Sequence, residues 1–266
     1  MDMIAPVRTD APRDPRRDGF FPAGITAPTA ASASPSRCSI CKLREADLPC
    51  DLLRPGPGQR EALPSTHWRV RQGEALFRCG DAFSCLYTVR SGFFKTVMPV
   101  ASGRELVTGF HMAGDLLGAD ALVPQSHVCD AIALEESQVC ASFISGVDGP
   151  DHAPPLPYRQ LFKAMSAQIS RQQGLMLVLG MLRAEERVAA FLLGLSQRLG
   201  ARGYSPTHLK LRMTRREIGC HLGLELETVS RMISKFREAG IVETGYRRIQ
   251  ILDLDGLRRF IGPTMA

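Results

Sequence analysis

Hydrophobic positions between about Trp68 and Phe143 fall in short runs separated by turn-forming residues. Glycine, often beside Asp or Ser, recurs roughly every ten residues here, for example at Gly80-Asp81 and Gly114-Asp115. Short apolar runs between regularly spaced turns are typical of small antiparallel barrels and sandwiches. The pattern therefore predicts an N-terminal β-roll or jelly-roll domain.

The apolar positions change to helical spacing after residue 156. Between residues 157 and 183 they recur three or four positions apart, with no strong breaker but Gly174 and Gly180. This stripe is wider than packing on one domain usually needs, which favours a dimer coiled coil. A helix packed wholly on its own barrel is the alternative. We place five residues at the dimer contact: Met165, Ile169, Gln172, Met176 and Leu179.

The C-terminal third predicts a winged helix-turn-helix. A second helix is expected over Ala184–Leu199, and the sequence 214–217 (TRRE) is a capping box that opens a short helix. Gly223 makes the turn, and a further helix is expected over Glu225–Ala239. Residues 241–242 and 248–252 then predict a two-stranded wing. The expected fold class is α+β.

The predicted organisation has four parts. Residues 1–36, rich in Pro, Ala, Ser, Asp and Arg, predict a disordered arm. A cysteine loop and β-roll sensor domain follow over 37–156, the dimerisation helix over 157–183 and the DNA-binding domain over 184–266. The sequence contains no run of eighteen apolar residues that would predict a membrane span, and its N-terminal residues do not have the apolar stretch of a secretory signal. We therefore expect a cytoplasmic protein.

The distribution of basic residues along the chain, more than the net charge, indicates a nucleic-acid partner. The formal net charge is +6, a mild excess. Residues 202–248 hold ten Lys and Arg against five Asp and Glu, so much of that excess lies in the predicted DNA-binding domain. Double-stranded DNA is the expected partner.

Three residues of the second predicted helix carry groups that read base edges. Glu227, Ser230 and Arg231 lie at positions i, i+3 and i+4, on one face. Arginine donates two hydrogen bonds to guanine, and a carboxylate accepts from cytosine. An acid inside a basic segment repels phosphate, so its presence favours base reading over a merely solvated face. Four residues are better suited to phosphate contacts: Thr214, Arg215, Arg216 and Lys235.

The cysteines suggest a metal or redox centre. In a reducing cytoplasm, the eight cysteines are expected as thiols or metal ligands rather than structural disulfides. Cys38, Cys41 and Cys50 cluster near the N-terminus, whereas Cys85 and Cys220 are expected to be inert. An iron–sulfur cluster, structural zinc and a metal-free thiol–disulfide switch all fit this pattern.

The histidines of the predicted barrel raise the alternative of a metalloenzyme. Four histidines, His67, His111, His127 and His152, are scattered over the predicted barrel, and a cupin-like metalloenzyme would use such ligands. The chain has no HExxH, nucleophile elbow or phosphate loop. A cupin would not need residues 205–252, so we expect a protein that is not an enzyme.

The chain resembles the fumarate and nitrate reduction (FNR) regulators of the cAMP receptor protein superfamily. The resemblance covers roughly residues 38–260 and rests on 108–115 (TGFHMAGD), 184–191 (AEERVAAF), 213–219 (MTRREIG) and 222–231 (LGLELETVSR). It implies a β-roll sensor, a dimerisation helix and a winged DNA-binding domain. It also implies a homodimer on a TTGAT-like palindrome, RNA polymerase as a partner and control of anaerobic or microaerobic genes through an oxygen-labile [4Fe–4S] cluster on four cysteines.

The cysteine spacing departs from the family pattern of C-x2-C-x5-C. Cys38 and Cys41 fit, but Asp47 stands at the third position, and a cysteine follows only at Cys50. Because thiolate is the more usual cluster ligand, Cys50 is favoured over Asp47. The resemblance assigns the fourth ligand to Cys140, and the nearby Cys129 is a weaker candidate.

Two further departures concern the dimer and the effector. Many FNR-like proteins carry an acid where this chain has Gln172, so we expect a dimer that depends less on oxygen than in typical relatives. Nucleotide-binding members carry an arginine that grips the cyclic phosphate. The corresponding stretch here, 114–129, contains no arginine, so no cyclic nucleotide is expected.

Overall fold

The structure, a computed structural model, describes residues 65–100, 105–142 and 157–261. The predicted arm 1–36 and the candidate ligands Cys38, Cys41, Asp47 and Cys50 lie outside the described residues. None of the described helices is long and apolar enough to cross a membrane.

Eight antiparallel strands form the N-terminal sandwich, which confirms the predicted β-roll. The strands are β1 Ser65–Val70, β2 Ala75–Phe77, β3 Leu86–Ser91, β4 Phe93–Pro99, β5 Glu105–Met112, β6 Leu116–Leu117, β7 Asp130–Ala133 and β8 Ser137–Ser142. They build two four-stranded sheets in the orders β1-β8-β3-β6 and β2-β7-β4-β5. Alternate residues point inward, so Val139 and Ala141 of one sheet share a buried cluster with Phe94 and Ala131 of the other.

Two long helices connect the sandwich to the C-terminal unit. Helix α1 spans Pro157–Met181 and helix α2 spans Ala184–Gly200, close to the predicted bounds. The break between them is held by Arg187, whose guanidinium donates to the carbonyls of Leu179, Leu182 and Leu222 at 2.7, 2.9 and 3.0 Å. One side chain thus fixes the end of α1 relative to the next helical pair.

The C-terminal unit is a winged helix-turn-helix with one more strand than predicted. It contains β9 His208–Lys210, α3 Arg215–Leu222, α4 Leu226–Glu238, β10 Val242–Gly245, β11 Arg248–Ile251 and α5 Leu254–Arg259. The sheet order is β10-β11-β9, so the wing is three-stranded. Strand β9 is too short for an alternating apolar pattern, and only pairing with β11 makes it visible.

The sandwich and the C-terminal unit share one hydrophobic cluster. Phe93, Val107 and Phe110 of the β4–β5 side pack in the same buried group as residues of α2, α3 and α4. The winged unit is therefore docked on the sandwich of its own chain. This contact fixes the position of helices α3 and α4 relative to the sandwich.

Candidate nucleic-acid interface and sensor site

Helix α4 presents a polar face opposite its buried face. Val229, Ile233 and Phe236 are buried at positions i, i+4 and i+7 and anchor the helix in the core. Glu227 and Arg231 are exposed on the other side. Within the described part of the chain, neither of these two side chains forms an ion pair, so both are available to a ligand.

The turn before α4 is sterically fixed. At the start of α3, the backbone N–H of Thr214 donates to Glu217 at 2.7 Å, and the N–H of Glu217 donates to the Thr214 hydroxyl at 3.2 Å, as the predicted capping box requires. Gly223 ends the helix with φ 63°. At Gly219 a Cβ would overlap the carbonyl oxygen of Leu224, so only glycine permits this approach of the two helices.

The residues predicted to contact phosphates separate into two groups. Thr214, Arg215 and Arg216 are exposed at the N-terminus of α3, where backbone N–H groups and the helix dipole also favour anions. Lys235 lies near the other end of α4, where its ammonium pairs with Glu185 of α2. For Lys235 to contact a phosphate, this ion pair would have to open.

The wing adds residues that the sequence interpretation did not single out. Tyr246 at the hairpin tip is 91% exposed, and Arg247 beside it has φ 51°. A left-handed conformation is uncommon for arginine and holds the two side chains at the end of the β10–β11 hairpin. The sequence signal that could have identified them is an aromatic residue followed by a basic one in the turn between the two predicted wing strands.

Polar contacts hold α3 on the sandwich. The Lys95 ammonium lies 2.9 Å from the Glu217 carboxylate, and His221 Nδ1 donates to the Val107 carbonyl at 2.9 Å. Burial opposes ionisation of Glu217, but the Thr214 N–H and Lys95 together hold its pKa below the usual value. The N-terminal cap of the DNA-facing helix pair is thus also its link to strand β4.

Helix α1 carries the predicted apolar stripe on its outer side. Ile169 is 52% and Met176 is 64% exposed, Gln172 is exposed, and Met165 and Leu179 are half-buried. Phe162, 61% exposed, extends the same face, since it precedes Ile169 by seven residues. Val178 and Leu182 are buried on the side that packs on the chain's own domains.

Cys140 lies on the outer face of the sandwich wall. Its neighbours Val139 and Ala141 point into the core, so the alternation of β8 directs Cys140 the other way, between His67 of β1 and Thr88 of β3. The side chain is nevertheless buried. The three other predicted ligands, Cys38, Cys41 and Cys50, lie outside the described residues.

The remaining described cysteines are poor ligand candidates or lie elsewhere. Burial, with the Asp120 charge adding to it, raises the pKa of Cys129 to about 12, and burial raises that of Cys85 to about 11. Both side chains lie in the sandwich core. Among the described residues, no three His, Cys, Asp or Glu side chains are grouped to hold a metal ion.

Within the stretch 114–129, where the sequence predicts no cyclic-nucleotide contact, His127 and Asp120 are engaged with other side chains and backbone of the protein. His127 stacks on Phe77 with ring centroids 3.7 Å apart, and its Nδ1 lies 3.4 Å from the Asp120 carboxylate. Asp120 also accepts from the Val128 N–H at 3.0 Å. An acidic group thus stands in this stretch, which contains no arginine.

Comparison with known proteins agrees with this architecture. The profile of the cyclic nucleotide-binding domain matches residues 67–143, and that of the Crp-like helix-turn-helix domain matches residues 186–260. The chain is 38% identical over 231 residues to the transcriptional regulatory protein btr of Bordetella pertussis, covering 87% of this chain and 96% of that protein. It is 36% identical over 227 residues to the fumarate and nitrate reduction regulatory protein of Escherichia coli K12, covering 85% and 91%.

Solved structures show the same fold. FixK2 from Bradyrhizobium japonicum superposes with a TM-score of 0.67 and 29% identity, over 74% of this chain and 96% of that one. TTHB099 of Thermus thermophilus, a CRP-family regulator, gives 0.60 at 23% identity over 73% and 96%. With two regulators more than 30% identical over most of their length, and with both domain profiles matched, the chain belongs to the CRP/FNR family of DNA-binding transcription regulators and is not an enzyme.

Proposed function

We propose that this regulator binds a TTGAT-like palindrome as a homodimer and responds to oxygen through a [4Fe–4S] cluster. The observation that carries the proposal is the exposed pair of Glu227 and Arg231, one helical turn apart on the face of α4 opposite its buried side. In the major groove, Arg231 would donate to guanine O6 and N7, and Glu227 would accept from cytosine N4. Ser230, between them, can serve either kind of edge.

Phosphate contacts would fix the register of this helix on the duplex. Thr214, Arg215 and Arg216 are exposed at the N-terminus of α3. Lys235 would join them only after leaving Glu185. Tyr246 and Arg247 of the wing supply a further contact beside the groove. These groups set position and contribute salt-dependent affinity, whereas sequence is read by α4.

The exposed stripe of α1 supports the homodimer. Ile169 and Met176 are apolar, more than half exposed and seven residues apart, which is the spacing of one coiled-coil seam. Pairing two copies would bury this stripe and relate the two α4 helices by a two-fold axis. Palindromic half-sites about 34 Å apart match such a dimer.

Cys140 is the described residue that fits a cluster ligand. It is buried on the outer face of β8, away from the core cluster that holds Cys85 and Cys129. Cys38, Cys41 and Cys50, with Asp47 as the alternative to Cys50, would complete the set. A bound cluster supplies iron and sulfide that react with oxygen; the protein's part is to hold the four ligands together.

The composition of anaerobically purified protein tests the sensor. We expect iron and sulfide in about equal amounts, which are lost in air. Zinc without iron would indicate a structural zinc site, and neither metal would indicate a thiol switch. Cys50→Ser and Asp47→Ala decide the third ligand, since only replacement of the true ligand should lower the iron content.

The proposal also covers the effector, the protein partner and the cellular compartment. Cyclic nucleotide is excluded from the proposal because an acid, Asp120, and no arginine occupies the stretch where a cyclic phosphate would lie. RNA polymerase is the partner that an activator of this family requires. A DNA-binding regulator acts on the chromosome, so the cytoplasm is the proposed compartment.

A further inference from the structure

A half-open cleft lies where the sandwich, the two long helices and the helix-turn-helix meet. Its volume is about 90 Å³. Polar side chains of four elements line it: His111 of β5, Gln168, Arg171 and Gln172 of α1, Arg198 of α2 and His221 of α3. The cleft therefore lies at the junction of the sandwich, both long helices and the first helix of the helix-turn-helix.

The charges beside this cleft are unbalanced. The buried carboxylate of Asp115 accepts hydrogen bonds from Arg198 and Arg202 at 2.6 and 2.8 Å, and Arg171 lies 3.9 Å away. Among the described residues, Asp115 is the only acid within ion-pair distance of these arginines. Three guanidiniums surround one carboxylate, which leaves a positive excess at a partly desolvated site.

Hydrogen-bonding capacity is also left over in the cleft. Arg202 uses all three of its guanidinium nitrogens, whereas the buried Nε of Arg198 has no partner. His111 bonds to the Thr96 hydroxyl through Nε2 at 3.1 Å, but its buried Nδ1 has no partner either. Buried polar atoms are nearly always satisfied, so two unsatisfied atoms on residues that line one cleft leave hydrogen-bonding capacity unused beside it.

We propose that this cleft binds a small oxyanion, of the size of inorganic phosphate or a short carboxylate, through Arg171 and Arg198. The size limit follows from the volume, which is below the roughly 150 Å³ of a cavity that admits benzene. The charge follows from the excess of arginine over Asp115. Gln168, Gln172 and Thr108 supply the neutral donors and acceptors that orient such an anion.

Binding here would couple directly to DNA binding. The anion would contact α1, which carries the proposed dimer stripe, and would lie beside His221, whose bond to Val107 holds α3 on β5. Any preference of the anion for one arrangement of these elements changes operator affinity by the same factor as DNA changes anion affinity. None of the residues that line the cleft belongs to the stretch 114–129 in which a cyclic phosphate would lie, although Asp115, beside the cleft, does.

Calorimetric titration of the full-length dimer tests the site, with inorganic phosphate and pyruvate as probes at constant ionic strength. We expect saturable binding of at least one probe, one per chain, and the arm that saturates identifies the source of the oxyanion. Arg171→Gln should weaken binding by about tenfold or more. Arg69→Gln, an exposed arginine of β1, is the matched control and should bind as the parent does.

Gln168→Glu gives a second test that keeps both arginines. The new carboxylate would enter the cleft and should abolish anion binding while leaving the protein folded and dimeric. Three results would each overturn the proposal. The first is a heat signal that depends only on ionic strength, and the second is a lack of saturation with both probes. The third is unchanged binding in both Arg171→Gln and Gln168→Glu.

Discussion

At the scale of single residues, the proposed DNA contact depends on Glu227 and Arg231. If Arg231 reads a guanine, Arg231→Ala should cost about 1–3 kcal/mol on the palindrome and flatten the preference at that base pair. The side chain is exposed and unpaired within the described chain, so its loss should not change the fold. Fluorescence titration against the palindrome and a scrambled duplex measures both effects.

Two exposed residues provide the controls. Arg216→Ala should weaken both duplexes about equally and reduce the salt slope by about one unit, as expected for a phosphate contact. Glu227→Ala should improve non-specific binding, because a charge that repels phosphate is removed, and should lower discrimination on the palindrome. An equal loss of affinity of Glu227→Ala for both duplexes would contradict the placement of α4 in the major groove.

His111 makes stability depend on pH. Burial lowers its pKa from 6.5 to about 4, with Asp115 opposing and the arginines Arg198 and Arg171 adding to the shift. The unfolded chain therefore binds a proton between pH 6.5 and 4 that the folded chain does not bind. The contribution of neutral His111 to the free energy of unfolding is fully present above pH 6.5. It is lost as the pH falls towards 4, by up to about 3 kcal/mol.

Urea unfolding at pH 7 and pH 5 measures this loss. His111→Gln keeps a partner for Thr96 but cannot be protonated, so its stability should fall less between the two pH values. Burial also lowers the pKa of His221, which should leave a smaller loss of the same sign in the variant. An equal loss in parent and variant would show that His111 is not the group responsible.

Residue-scale prediction from sequence succeeds where a local period fixes the face. Glu227 and Arg231 could be placed together because helical spacing sets their neighbourhood, and the structure leaves both exposed as expected. The roles of His111 and Asp115 could not be anticipated. Asp115 meets Arg198 across 83 residues of chain, and no local pattern encodes such a pairing.

At the scale of elements, the proposed homodimer depends on α1. Ile169→Glu places a charge on the exposed stripe, so we expect a folded monomer with weak affinity for the full palindrome. Sedimentation equilibrium gives the mass, and operator titration gives the affinity. Ser170→Glu is the matched control, since the next position is also exposed but lies about 100° around the helix from the seam.

Gln172 qualifies the same prediction. Two carboxylates facing each other at this position would oppose pairing, and the amide removes that repulsion. The parent protein should therefore sediment with a substantial dimer fraction in air. A protein that is monomeric in air and dimeric without oxygen would contradict this, as would a monomeric Ile169→Glu variant that binds the full palindrome tightly.

Elements were predicted well where capping and periodicity agree. The capping box at Thr214–Glu217 and the helix bounds of α1 and α2 follow from local sequence. Strand β9 was missed because three residues carry no period, and its pairing with β11 depends on a contact distant in sequence. The wing therefore has three strands where the sequence indicated two.

At the scale of the whole molecule, the sensor question depends on Cys140. Cys140→Ser should abolish the broad visible absorption of a cluster in anaerobic protein, because one of four thiolates is lost. Cys129→Ser is the control, since its thiol lies in the core and burial raises its pKa to about 12. Retained absorption in Cys140→Ser together with its loss in Cys129→Ser would reverse the assignment.

The docking of the two halves was not visible in the sequence. Hydropathy indicates that β4, β5 and α3 each have an apolar face, but not that these faces meet. In the structure they share one cluster, and Lys95 and Glu217 join the sandwich to the cap of α3. One hydrophobic cluster therefore crosses the predicted domain boundary, while a second cluster belongs to the sandwich alone.

The arginines around Asp115 also set an order of events during synthesis. Arg198 is made 83 residues after Asp115, and at about 5–20 residues per second the ribosome needs roughly 4–17 s to reach it. Until then the nascent sandwich contains a carboxylate without the two guanidiniums that hydrogen-bond to it, and burying it with only the more distant Arg171 nearby is unfavourable. The sandwich can complete its packing only when α2 has emerged. A truncated chain that ends with α1 would keep Arg171 but lose both arginines that hydrogen-bond to Asp115, so we expect the N-terminal half made alone to be less stable than the same half in the whole chain.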